Sequence, residues 1–183
     1  MRRVPIFEAD TVRDSILRRS FMNKPDHDGL ILCRMQGRIF ELSLSEDCSS
    51  AVFIRRFMNS DVARRMDELF FLETSQSERQ AVDEIRGSYE RNYGSGKFEK
   101  EELYWMGYLY RYWAYCTGLR SFQIYRICNA TELRKRYYFY HTLSPEMAIE
   151  RIMEEKGYIP VQTEEEKYLR SRKLVEEKIR SIE

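Results

Sequence analysis

Between Leu103 and Leu119 apolar and aromatic positions follow one another with a single charge, Arg111, among them. On a helix at about 100° per residue they cover nearly every side, the pattern of a helix that its neighbours bury. Both tryptophans, Trp105 and Trp113, lie here, with five of the thirteen tyrosines: Tyr104, Tyr108, Tyr110, Tyr112 and Tyr115. Seven polar tips of this kind would need partners in hydrocarbon, so no membrane span is expected from residues 98–117. The stretch is expected to be the central helix, with the rest of the chain packed round it.

Elsewhere the apolar positions also recur at helical spacing. Val12, Ile16, Leu17 and Phe21 predict a short helix near 10–22, broken by the run from Pro25 to Gly29. Residues 30–44 fit two patterns. Gln36 and Gly37 could turn a hairpin that sets Cys33 opposite Phe40 and Ile31 opposite Leu42. As a helix, Asp28 would cap it and Ile31, Met35, Ile39 and Leu42 would form one stripe. No third strand is evident downstream and a lone hairpin is marginal, so the helix is preferred.

Ser49 and Ser50 precede a helix carrying Val52, Phe53, Arg56 and Phe57. Asn59, Ser60 and Asp61 open another with Val62, Met66, Leu69 and Phe70 inward. Ser77 with Gln80 and Asn129 with Glu132 read as capping boxes for helices over about 77–92 and 129–140. Ser121 is expected to open a short helix to Ile127, and Ser144 with Pro145 a further one to about Lys156. Gly157 to Pro160 marks a boundary. Beyond it Val161, Tyr168, Val175 and Ile182 recur every seventh residue, one narrow stripe on a charged helix. The predicted architecture is all-α: a helical domain over residues 1–160 and an amphipathic C-terminal helix over 161–183.

Composition adds little to this. A chain of 183 residues suits one core, and 31 basic against 30 acidic residues give no global pull toward nucleic acid or an acidic membrane. The start runs straight into charged residues, from which neither a signal peptide nor a membrane segment is expected. Cysteines 33, 48, 116 and 128 form no close pairs and read as reduced core thiols, so a cytoplasmic protein is expected.

No motif supplies catalytic chemistry. Gly94, Ser95, Gly96 and Lys97 evoke a phosphate loop, but its first glycine would have to stand at Arg91 and its hydroxyl residue at Phe98. His27 and His141 lack metal-ligand spacing, so neither metal nor cofactor is expected. A thiolate pair of Cys116 or Cys128 with His141 is outweighed by buried thiols. Acidic doublets such as Asp83 with Glu84 and Glu101 with Glu102 read as solvated helix flanks.

One local pattern is sharper. Ala114, Gly118, Leu119, Ile124 and Ile127 fall where a helix-turn-helix needs a small residue, a tight-turn glycine and aliphatics, with Ser121 as cap. Residues 120–136 carry five basic groups against Glu132, a local net of +4. As a DNA-binding element it would aim Gln123 and Arg126 at base edges, and Arg120, Arg134, Lys135 and Arg136 at phosphates. The run Tyr137 to His141 could stack single-stranded nucleic acid, but four consecutive aromatics point four ways round a helix, so core packing with one or two exposed rings is preferred. Thirteen aromatics from Tyr104 to Tyr140 exceed what one small core buries, and the surplus points to a protein–protein surface.

Three segments, 49–61 (SSAVFIRRFMNSD), 104–118 (YWMGYLYRYWAYCTG) and 138–150 (YFYHTLSPEMAIE), together resemble a family of small uncharacterised helical bacterial proteins. Its members are encoded beside small proteins that look like ADP-ribosyltransferase-type toxins. The resemblance spans about residues 48–154 and carries no catalytic residues over. It implies a non-enzymatic, antitoxin-like accessory protein that binds a partner: another small protein, a putative toxin, or a second copy. Tyr108, Arg111, Tyr112 and Tyr115 are the expected contact surface, with the C-terminal helix as a second docking element. The alternative is a helix-turn-helix transcriptional regulator.

Overall fold

A computed structural model describes residues 24–68, 76–88 and 94–158, with the single exposed positions Arg172 and Arg180 beyond them. The helices expected near 10–22 and over 161–183, and the inward positions Leu69, Phe70 and Tyr89, lie outside these residues. Those described form eight α-helices and no strand: α1 His27–Leu42, α2 Ser50–Met58, α3 Asp61–Asp67, α4 Glu78–Gly87, α5 Lys100–Thr117, α6 Ser121–Ile127, α7 Ala130–Tyr140 and α8 Pro145–Glu155. A single 3-10 turn, Ser43–Ser45, follows α1.

The helix starts follow their caps. Ser49, Ser60 and Ser144 each accept an N–H from the first turn of α2, α3 and α8, and the boxes at Ser77–Gln80 and Asn129–Glu132 form. Two expected caps are displaced by neighbouring residues. Asp26, not Asp28, caps α1 through the Gly29 N–H at 2.9 Å. Arg120, not Ser121, is the N-cap residue of α6, which leaves the Ser121 hydroxyl free to face inward.

The centre is the pair α1 and α5, running antiparallel: the Gly29 end of α1 lies on Tyr115 and the Gly37 end on Tyr104. Midway the backbones meet. A Cβ on Gly107 would stand 2.5 Å from the Gln36 carbonyl oxygen and 2.9 Å from Gly37 Cα, closer than any side chain allows. The glycine that could have turned a hairpin therefore serves a helix–helix contact, and residues 30–44 are helical as far as Leu42. This contact also rotates the buried stripe of α1 to Leu32, Cys33, Gln36, Ile39 and Phe40, leaving Ile31 and Met35 half-buried and Leu42 exposed.

α5 buries Leu103, Met106, Leu109, Tyr110 and Trp113 against α1, α6, α7 and α8, as its all-round apolar pattern predicts. Phe40 of α1 takes three rings edge-on, Phe53 at 6.3 Å, Phe57 at 5.2 Å and Tyr110 at 6.4 Å. Of the polar tips, Tyr110 donates to the Cys128 carbonyl at 2.7 Å, whereas the buried Trp113 Nε1–H has no partner. Lys97 is no phosphate ligand. Its ammonium donates to the carbonyls of Ser43, Glu46 and Cys48 at 3.1, 2.6 and 2.7 Å, tying the chain before α5 to the end of α1. Among the described residues no helix is long and apolar enough to cross a membrane.

Candidate functional site

Arg111 is the one charge in the aromatic stretch, and the fold turns it inward, to 2% exposure. All three of its nitrogens donate: Nε to Gln36 Oε1 at 2.8 Å, Nη1 to Asp67 Oδ1 at 2.6 Å and Nη2 to Ser121 Oγ at 3.0 Å. Asp67 in turn accepts the Ser121 hydroxyl at 2.7 Å and its N–H at 2.9 Å. One network thus joins α1, α3, α5 and α6, and the buried charge is compensated as burial demands. Arg111 has no exposed guanidinium for a partner, which removes it from the expected contact surface.

The tyrosines of that surface also turn to structural partners. Tyr104, Tyr108 and Tyr112 run along one side of α5 with ring centroids 6.3 and 6.1 Å apart. Tyr112 is 5% exposed and donates to Glu146 of α8. Tyr108 and Tyr115 are half-buried, and Tyr115 donates to Asp26 at the start of α1. Burial pushes all three phenols above their ordinary range, with the Glu146 and Asp26 carboxylates adding to it for Tyr112 and Tyr115. These rings link α1, α5 and α8.

The helix–glycine–helix corner forms. Gly118 adopts φ 64° and its N–H closes on the Ala114 carbonyl at 2.8 Å. Two of the cations expected on DNA pair with carboxylates of the fold. Arg134 donates to the buried Glu102 at 2.9 Å and lies 4.4 Å from the centre of the Phe98 ring; Arg136 donates to Glu155 at 2.8 Å. Glu102, read as a solvated flank residue, is therefore an interior partner at 3% exposure. Gln123 spends its amide oxygen on the Arg120 N–H at 2.9 Å, and Arg126 lies over Phe122. Arg120 and Lys135 are exposed.

Two shallow hollows open beside this corner. One, about 170 Å³, has the Arg111–Asp67 pair as its floor, Met66, Ala114 and Leu119 as apolar wall, and Glu68 and Arg120 at its edge. The other, about 230 Å³, lies on the far side of Asp67 and Arg120, toward Ser60 and Phe122. The polarity of the first could be anticipated from Arg111 in an apolar helix. Its partner Asp67, 44 residues away in sequence, carried no such signal.

The apolar surplus emerges on α7 instead. Tyr138 and Phe139 are 73% and 75% exposed, while the neighbouring Tyr137 packs edge-on to Trp105 at 5.5 Å and stacks on His141 at 4.7 Å. Consecutive aromatics cannot all face one core, and α7 places this pair outside.

Cys33, Cys116 and Cys128 are buried, and burial pushes each up to about 12, far from a neutral-pH thiolate. His141 is exposed on the Tyr137 ring with its Nδ1 on the Tyr137 carbonyl, and pairs with no thiol. Among the described residues no group of three or more His, Cys, Asp or Glu could hold a metal. No protein-family model, no curated protein and no solved structure matches the chain.

Proposed function

We propose that this is a non-enzymatic cytoplasmic binding protein that docks a second small protein on the aromatic end of α7, in the role of an antitoxin-like accessory component. The observation that carries it is the Tyr138–Phe139 pair, three-quarters exposed, where the other exposed large apolar side chains among the described residues, Leu42, Leu44 and Met147, are exposed by half or less. Lys135 stands one turn before both rings, whereas its neighbours Arg134 and Arg136 are compensated by Glu102 and Glu155. The fitting partner presents an apolar recess for two rings with carboxylates beside it. The antitoxin role rests on the resemblance of residues 49–61, 104–118 and 138–150; the docking surface rests on the exposure.

The test is a tagged capture from nuclease-treated extract of the native host, run in parallel with a Tyr138→Ser/Phe139→Ser variant and then repeated with the purified components. Both positions are exposed, so the variant keeps the wild-type melting temperature. A small protein retained at constant stoichiometry by the wild type, and lost by the variant, supports the reading. Capture indifferent to the variant, or a solitary protein in both samples, overturns it. The helix-turn-helix reading has the Gly118 corner in its favour. It requires binding to the protein's own upstream DNA that weakens steeply with salt and loses base preference in Gln123→Ala.

A further inference from the structure

The smaller hollow at the α5–α6 corner combines features not explained by packing alone. Its floor is a preformed polar one, with Arg111 buried and held by Gln36, Asp67 and Ser121. The floor keeps one vacancy. Asp67 Oδ1 accepts from both Arg111 and Ser121 Oγ, whereas Oδ2 accepts only the Ser121 N–H and retains acceptor capacity. At the edge Glu68 and Arg120 are both exposed. Met66, Ala114 and Leu119 supply the apolar side.

We infer that this hollow binds a small aliphatic zwitterion of the α-amino-acid type. Two acids, Asp67 and Glu68, and two bases, Arg111 and Arg120, sum to no net charge, which favours neither a simple anion nor a simple cation. They do present separated poles. A ligand ammonium is met by Asp67 Oδ2 and Glu68, its carboxylate by the Arg120 guanidinium, and an aliphatic side chain by the methionine, alanine and leucine wall. A volume of about 170 Å³ is close to that of an engineered apolar cavity that takes a benzene-sized guest, about 150 Å³. That is room for a ligand the size of leucine or methionine and not for a peptide. The site is distinct from the α7 surface and does not depend on protein docking.

The experiment is calorimetric titration of the purified full-length protein with L-leucine and L-methionine. Controls are L-leucinamide (no carboxylate), 4-methylvalerate (no ammonium) and inorganic phosphate. Binding of the amino acids with each truncated analogue weaker by about tenfold or more is expected, because the orphaned pole of the site is then unpaired. Glu68→Gln and Arg120→Gln, both at exposed positions, should each lower affinity by about tenfold at unchanged melting temperature. No amino-acid binding up to about 10 mM, which is weaker than about −3 kcal/mol, overturns the assignment. So does phosphate or an analogue binding as tightly as leucine, or indifference to both substitutions.

Discussion

Arg111 Nη1 reaches Asp67 Oδ1 over 2.6 Å with the two side chains 2% and 8% exposed, so a buried ion pair stands where the sequence shows only an isolated charge among aromatics. Removing one partner strands the other in the interior. Arg111→Met is expected to cost about 3–5 kcal/mol of unfolding free energy. Arg111→Met combined with Asp67→Leu should cost much less than the two singles summed, since the pair's desolvation is relieved together. Denaturant titration of the four proteins measures the coupling; strict additivity would show that the pair does not act as a unit.

Gly107 has no alternative. A methyl group there meets backbone atoms of Gln36 and Gly37, which cannot rotate aside as a side chain could. Gly107→Ala should therefore lower stability by at least about 1–3 kcal/mol, against the gain of up to about 1 kcal/mol that the same change gives at an unconstrained helix position. Gly87, with open space round its Cβ direction, is the matched control and should be neutral or stabilised. Thermal melts of the two variants decide it, and equal effects would mean that α1 and α5 do not approach this closely in solution.

These two contacts also mark where sequence reading stops. Helix existence, five of the six side-chain caps and the burial of α5 follow from spacing and local chemistry, which act over a few residues; the sixth cap fell to Asp26 where Asp28 was expected. Gly37 reads locally as a turn residue, and only Gly107, 70 positions on, makes it a helix–helix contact. Arg111 and Tyr112 looked available because nothing nearby neutralises them; Asp67 and Glu146 do so across the fold. Tyr138 and Phe139 were legible as a surplus but not as the outward pair, because the orientation of α7 is set by what Leu133 and Tyr137 pack against.

Acid should loosen the protein through a defined set of carboxylates. Burial pushes Glu146 up, but the Tyr112 hydroxyl, its own backbone N–H, the Ser144 hydroxyl and the Lys24 ammonium outweigh it and leave the carboxyl below its ordinary range. Glu84, Glu132 and Glu155 are lowered likewise, burial again being outweighed, by Arg65, Lys156 and Tyr140 respectively. A carboxyl lowered in the folded state takes up its proton first in the unfolded one. Its stabilisation is complete above the ordinary carboxylate range and lost as pH falls through the folded value. Stability should be level from about pH 7 to pH 5 and decline below that. Tyr112→Phe should make the acid limb shallower by letting Glu146 return toward its ordinary value. Denaturation midpoints against pH, wild type beside variant, test this; superimposable acid limbs would exclude the Tyr112–Glu146 bond.

The thiols give a direct check on whether the chain has nucleophilic chemistry. Cys33, Cys116 and Cys128 are buried and raised to about 12, against an ordinary value near 8.5, so each is overwhelmingly the neutral thiol at neutral pH. A thiol-specific chromogenic reagent at neutral pH should label fewer than one of the four cysteines per native chain and all four once guanidinium unfolds it. The linkage has the opposite sign to the carboxylates. Above about pH 9 the unfolded chain ionises its thiols while the folded one keeps its protons, so stability should fall on the alkaline side as well. Variants of Cys116 and Cys128 to alanine should lower stability through the cavity left, without changing any partner binding at α7. Rapid native labelling of either residue would instead expose a reactive thiolate and return an enzymatic reading to consideration.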